Sequence, residues 1–511
     1  MKTKILALVL CLLMLVSLVA CNNNNPETPT DAPTGGPETP TGGPETPTED
    51  PNKPVIPPVT GDHDMSHVTT NTYNNDEFTM LCRPEEKFSD ALIILELAAT
   101  PTSIDRAVYE RMTAIEAQFG IKFNLDMAAD YMNDLNRKVD NYTKTSTDQI
   151  ELIAGHAQGV PWNLAMNGKL YEWGEIETLK PERDYWGQTA REQFTTPGGK
   201  LYFLTGDMSY LTVGTAFGMF FNKDMVEDVE LTSPYELVRS DSWTFDVFSE
   251  YVTTIYSNMD NDNSHTIETG SWGYATSSTR GPYQVLVTTH YPMIEKSESA
   301  SSIAGYKVNI TKQIFDNLIG DFLDLGKSGV AYLSNSMNYT ELRGGFTSDR
   351  VAFYDDEVLF ADTFKSSGVN FGVLPWPKYV YDDEMPELFN SMVNAGTDVY
   401  GIAINTTEPR LEMIASVLEM LSYLGQKNIM SLYYETILTY QDMPDMDSIE
   451  MLEFIHDGLN YDFGYFYNPG SGFVTLTTRC KNNNSSASRE YELVEGAVRE
   501  ALEKWAALDD K

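Results

Sequence analysis

Phe78-Thr79-Met80-Leu81-Cys82 and Ile121-Lys122-Phe123-Asn124-Leu125 bracket the stretch on which the fold turns. The first reads as a strand, and the second alternates apolar and polar residues with the period of a half-buried strand. Between them Ile104, Val108, Met112, Ile115 and Phe119 recur at the spacing of one helix face. Gly120 stands where a left-handed residue ends a helix. Strand, helix and strand in this length make a βαβ unit. A polar helix from about Asn133 then precedes Ile150-Glu151-Leu152-Ile153-Ala154, another short strand. Its end opens into Gly155-His156-Ala157-Gln158-Gly159, and ligands gather at such carboxyl ends in open α/β sheets.

The alternation continues to the end of the chain. An apolar run covers 217–221, and Thr244 can cap a helix that buries Phe248, Val252 and Ile255. Arg350-Val351-Ala352-Phe353-Tyr354 and the run 369–374 form a second α/β pattern. Residues 399–404 read as a strand, and Leu411, Ile414, Leu418 and Leu421 mark the helix behind it. A closing helix carries Tyr491, Val494, Val498, Leu502 and Trp505. The portion from Thr70 to Lys511 is long for one core and suits two lobes.

The front of the chain has a different chemistry. Lys2 and Lys4 precede an apolar run from Ile5 to Val19, too short to span a bilayer but suited to a signal peptide. Residues 22–61 repeat Pro-Glu-Thr-Pro-Thr at Pro26, Pro37 and Pro44 with Gly pairs between copies. Nothing there can bury a core, so the tract reads as a tether reaching on the order of 100 Å at about 3.1 Å per residue, or as a glycosylated stalk. Net charge is −40, and removal of Lys2 and Lys4 makes it −42. Such a balance excludes phosphate-neutralising nucleic-acid binding and repels an anionic bilayer. Cys82 and Cys480, the cysteines beyond the leader and Cys21, suit either one disulfide or two buried thiols.

Two resemblances follow from quoted residues. Leu18-Val19-Ala20-Cys21 resembles the lipobox of bacterial lipoproteins, which implies cleavage before Cys21 and its acylation. Phe220-Phe221-Asn222-Lys223-Asp224-Met225, Ser242-Trp243-Thr244-Phe245-Asp246-Val247-Phe248, Gly372-Val373-Leu374-Pro375-Trp376-Pro377-Lys378 and Gly401-Ile402-Ala403-Ile404-Asn405 come in that order. Together they are similar to motifs of extracellular solute-binding proteins of the maltose-binding type (family 1), the receptor components of ABC importers. The resemblance implies a two-lobed, periplasmic-binding-protein-like α/β fold of type II, closing by a hinge around its ligand. It places lobe one at about 70–213 and 398–435, and lobe two at about 214–397 and 436–511. It implies a monomer anchored by lipid outside the cytoplasm, with a sugar and ABC permease subunits as partners and no cofactor. The reading from another class is a polysaccharide-docking protein or adhesin without an importer.

Sugar recognition needs flat aromatic faces and groups that bond hydroxyls. Trp162, just past the 155–159 loop, is the expected stacking residue. Asp207 and Tyr210 precede the first crossing that the resemblance implies, Arg280 sits in a polar loop, and Asp355 and Asp356 follow the 350–354 strand. All are candidate ligand contacts, with packing or surface ion pairing as the competing role. Asp260, Asp262 and Ser264 have calcium-loop spacing, but His265 stands where Gly is needed and Ser271 where Glu is needed, so a solvated turn is expected. No Gly-x-Ser-x-Gly, His-Glu-x-x-His or phosphate loop occurs, and the six histidines are scattered. No catalysis and no metal are expected.

Overall fold

Thr102 and Asp105 start the first long helix by capping each other. Thr102 accepts from the Asp105 N–H at 3.1 Å, and Asp105 accepts from the Thr102 N–H at 2.8 Å. The helix, Ser103–Phe119, buries the five expected apolar residues and stops on Gly120 at φ 60°. It also buries Arg111, which the apolar spacing did not flag. That guanidinium donates to the carbonyls of Leu92, Met208 and Leu421, tying the helix to three distant segments.

The computed structural model describes residues 63–511 except 146–149, 260–265, 278–279, 335–338, 405–407 and 435–442. Cys21 and the Asp260–Asp262–Ser264 turn lie outside the described residues.

The first sheet is built from β1 (Asp76–Cys82), β2 (Ile121–Met127), β3 (Leu152–His156), β4 (Phe203–Leu204) and a late strand, Asp398–Gly401. Its order is β2-β1-β3, then the late strand, then β4. β1 pairs in parallel with β2, Met80 opposite Leu125, and with β3, Met80 opposite Leu152. The second sheet holds β5 (Phe217–Asn222), β6 (Trp272–Thr276), β9 (Ala331–Leu333), β10 (Val351–Glu357) and β11 (Phe371–Leu374), in the order β11-β5-β10-β6-β9. Between them in sequence, β7 (Ile294–Lys296) and β8 (Tyr306–Val308) form a hairpin. β12 (Ser391–Met392) pairs in parallel with β14 (Leu459–Asn460), and the late strand of the first sheet is β13. The mixed α/β architecture with two sheets is as expected.

The quoted motifs turn out to be local fold signals. Asn222 ends β5 and caps the helix Lys223–Glu227, accepting from Met225 N–H at 3.1 Å. Thr244 caps the helix Phe245–Asn258 as expected. Trp243 Nε1 donates to Pro375 O at 3.0 Å, and Lys378 Nζ donates to Asp241 at 2.6 Å and to Glu387 O at 2.9 Å. Trp243, Trp272 and Trp505 are buried, as core anchors should be.

Three expectations need correction. The strand expected at 150–154 pairs instead over Leu152–His156, because Met80 and Cys82 take Leu152 and Ala154 as partners. β10 runs on through Glu357, so Asp355 and Asp356 lie within the strand and not after it. The closing helix is two helices, Ala487–Glu492 and Glu495–Ala506, broken where Leu493 turns outward. Cys82 and Cys480 are both buried free thiols, the second of the two open readings. Burial pushes the Cys480 thiol up to about 12, which keeps it protonated and unreactive.

Candidate functional site

The loops leaving β1, β3 and β10 converge near the segment that leads into β13. Arg83 follows β1 directly and is nearly buried. Its Nε donates to Glu85 at 2.7 Å, its Nη1 donates to the Gly396 carbonyl, and its guanidinium lies 3.8 Å over the Phe88 ring. Asp398 faces the same guanidinium at 3.7 Å. Burial still lifts the Asp398 carboxyl to about 7, with Arg83 drawing it the other way.

β3 ends in His156, whose ring stacks on Tyr131 at 4.9 Å and whose Nδ1 accepts from the Gln158 N–H at 3.2 Å. Burial first, and Arg83 second, hold this imidazole down at about 4, so it is neutral at physiological pH. Gln158 donates to Tyr465 O at 3.1 Å, while the Tyr465 hydroxyl accepts from the Ala395 N–H at 3.3 Å. Tyr131 and Met132 are 39 % and 44 % exposed, so an aromatic face remains available on this wall.

Further contacts come from the second sheet. Asn394 donates to Glu357, the last residue of β10, at 2.6 Å. The turn Val358–Phe360 follows, and the Arg343 guanidinium lies 3.3 Å over the Phe360 ring. Arg343 also makes a forked pair with buried Asp356, at 2.6 and 3.2 Å. Lys87 Nζ, from the helix Glu86–Leu92 that follows β1, approaches the Phe360 ring at 5.1 Å. This meeting point carries rings (Phe88, Tyr131, Phe360) beside polar groups (Arg83, Gln158, Glu357); guanidinium groups lie over Phe88 and Phe360, and Tyr131 is the ring among these three that is exposed.

The expected site residues do not gather at this meeting point. Trp162 is 1 % exposed, and Phe194, Phe203, Phe463, Tyr467 and Trp505 surround it with ring centroids 4.8–5.5 Å away. The expected stacking on a sugar is therefore replaced here by packing, because no ring face is left uncovered. Asp355 is buried in β10 and accepts from the Tyr274 hydroxyl at 2.8 Å. Tyr210 stacks on Tyr433 at 4.9 Å. Arg280 begins the helix Arg280–Val287, and its side chain lies outside the described residues. Asp207 instead lines a separate cavity of ≈ 360 Å³ with Trp186, Tyr434 and Tyr461. Arg83 and His156 were findable, since they sit at strand ends; nothing in the sequence marks Phe360.

Burial lifts the Asp207 carboxyl to about 7 from its ordinary 3.8, against a hydrogen bond from the Gln426 side chain. The folded chain then keeps a proton that the unfolded chain releases near pH 4. This group's contribution to stability is full below about pH 4 and is lost as pH rises through about 7. Asp207→Asn should accordingly raise the melting temperature over the parent at pH 8 and leave it unchanged at pH 4. Identical parent and variant curves at both pH values would show that the carboxyl is not desolvated.

Among the described residues no group of three or more His, Cys, Asp or Glu could hold a metal, and no helix is long and apolar enough to cross a membrane. No protein-family model matches the chain. No curated protein sequence matches it either. The fold is nonetheless similar to solved structures. The GacH receptor of Streptomyces glaucescens, solved unliganded and with acarbose, shares 13 % identity over 84 % of this chain and 98 % of its own, at a TM-score of 0.52. A family 1 extracellular solute-binding protein from Bifidobacterium longum subsp. infantis gives 14 %, 85 %, 100 % and 0.54. The galacto-N-biose/lacto-N-biose I-binding protein of an ABC transporter from Bifidobacterium longum gives 11 %, 85 %, 98 % and 0.55. The chain has the two-lobed, periplasmic-binding-protein-like α/β fold of these proteins.

Proposed function

We propose that the chain is a membrane-anchored receptor outside the cytoplasm, of the family 1 type, that captures an oligosaccharide and delivers it to an ABC importer. The observation that carries this reading is the fold, shared with sugar-binding receptors, in which the exposed Tyr131 ring lies on His156 where the segments after β1, β3 and β10 meet. The role is capture without chemistry. Cys21 is the proposed lipid attachment, supported by the leader before it and the Pro/Thr/Gly tract behind it. Confinement by such a tether raises the effective concentration of loaded receptor at the permease. Lobes at about 70–213 with 398–435, and about 214–397 with 436–511, fit the strands of the two sheets. The aromatic cluster around Trp162 crosses that division through Phe463, Tyr467 and Trp505.

A thermal-shift screen of mono- and oligosaccharides, peptides and polyols tests the reading. A binding sugar should stabilise the fold by about 2.7 kcal/mol at a hundredfold excess over Kd. It should also shrink the radius of gyration in solution scattering, as a hinge closing on its ligand requires. Tyr131→Ala should then weaken binding by about 1–3 kcal/mol, the range for truncating an aromatic anchor. Stabilisation by peptides and by no carbohydrate would sink the sugar assignment.

A further inference from the structure

We propose that His156 is a specificity-determining residue: its imidazole holds the hydrogen on Nε2 and donates that N–H to a hydroxyl or ring oxygen of an uncharged carbohydrate lying against Tyr131. This role rests on the proposed capture of a sugar and adds to it one donor and the charge of the ligand.

The tautomer follows from the backbone. Nδ1 accepts from the Gln158 N–H at 3.2 Å, so Nδ1 is the bare nitrogen and the hydrogen lies on Nε2. An imidazolium would turn a second N–H toward that amide and break the turn after β3. Among the described residues nothing bonds Nε2, and Nε2 is not one of the unpaired atoms sealed from solvent. The carboxylates around it are engaged elsewhere. Glu85 accepts from Arg83 Nε at 2.7 Å, and Asp398, opposite His156 in the strand register, faces the Arg83 guanidinium at 3.7 Å. Gly396 keeps the space beside the donor open. Its backbone is outside the left-handed region, so the chain path does not require glycine there. A Cβ at this position would lie 3.2 Å from Asn394 Oδ1 and 3.9 Å from His156 Nε2, and a longer side chain would occupy the approach to the N–H.

The ring beside this donor is held in place. Tyr131 stacks on the imidazole at 4.9 Å with 26° between the planes, and it is 39 % exposed. Its turn is pinned from both ends. Asp130 accepts from the N–H groups of Met132 at 2.9 Å and Asn133 at 2.5 Å, and Asp134 accepts from the Ala129 N–H at 2.7 Å. One side of the phenol therefore rests on the imidazole, and its exposed part is free to meet the apolar face of a pyranose. Charge decides the class of ligand. The Arg83 guanidinium is already matched by Glu85, Asp398 and the Gly396 carbonyl. The donor left beside Tyr131 is an uncharged N–H, which suits a hydroxyl or ether oxygen better than a carboxylate.

The test is nitrogen magnetic resonance of the full chain with isotopically labelled histidine at neutral pH, the His156 signals being identified by their loss in His156→Gln. Without ligand they should show a protonated Nε2 and a bare Nδ1. Maltotriose and lacto-N-biose are then titrated, with trigalacturonate as the charged counterpart. A neutral sugar that raises the melting temperature should shift the Nε2 signal, and trigalacturonate should bind more weakly. His156→Asn keeps an acceptor near the Gln158 N–H but no distal donor, and should weaken that sugar by about tenfold at an unchanged melting temperature. His156→Gln restores a distal N–H and should recover most of the affinity. A proton on Nδ1 in the free chain, tighter binding of trigalacturonate, or parental affinity in His156→Asn would overturn the proposal. A sugar that stabilises the fold without moving Nε2 overturns this role alone, whereas a chain that neither sugar stabilises takes the sugar-capture reading down with it. Should His156→Asn fail to fold, the parent's own Nε2 signal still decides.

Discussion

Trp162→Ala should lower the unfolding free energy by about 3–5 kcal/mol, the cost of removing a large aromatic from a packed core. The indole is 1 % exposed and meets five aromatic side chains with centroids 4.8–5.5 Å away. Its Nε1 donates to Ala157 O at 2.9 Å, so truncation also orphans a carbonyl in the loop after β3. The loss should spread, because the cluster joins the first sheet (Phe203) to the closing helix (Trp505) and to Phe463, which stacks on Tyr306 of the hairpin at 4.8 Å. Denaturant unfolding and ligand affinity measured on one variant separate the two roles of this residue. Stability unchanged with affinity reduced would return Trp162 to the ligand; the reverse is expected.

Glu419→Ala should cost a similar amount, about 3–5 kcal/mol, since it deletes the one acceptor for several buried donors. Glu419 is 0 % exposed on the helix Glu408–Leu424. It accepts from the Tyr185 hydroxyl, from Trp186 Nε1 at 3.0 Å and from the Lys180 N–H at 3.0 Å, and it pairs with His67 Nε2 at 2.8 Å. No other carboxylate in these contacts can take over. The His67 contact docks the segment just past the tether, so hydrogen exchange over 67–72 should quicken alongside the global loss. Glu419→Gln keeps one acceptor oxygen and should cost less. A Glu419→Ala chain as stable as the parent would mean that water replaces the carboxylate, and the network would then have no structural role.

Local chemistry by itself determined where several elements begin and end. The spacing from Ile104 to Phe119, the Gly120 stop and the Thr244 cap act within a turn or two of backbone, and each appears where its residues place it. The motifs of the resemblance have the same character: Asn222 caps, Trp243 bonds a carbonyl, Lys378 satisfies a loop. They report the fold, and for that reason they could not report the ligand. The leader, the Pro/Thr/Gly tract and Cys21 are likewise legible only as sequence.

Tertiary structure alone decided which side chains are available. Whether an aromatic is wall or core depends on partners far along the chain: Phe463, Tyr467 and Trp505 close over Trp162, while Tyr131 keeps an open face. The apolar run at 350–354 puts Asp355 after a strand, but pairing with β5 carries β10 through Glu357 and seals Asp355 beneath Tyr274. Arg111 looks like a surface residue in a helix pattern, yet three carbonyls from separate segments make its burial tolerable. The segments after β1, β3 and β10 meet near Gly396 although β10 belongs to the other sheet; Arg83 on the Gly396 carbonyl, Asn394 on Glu357 and Lys87 beside Phe360 join them, and no local pattern encodes those partners.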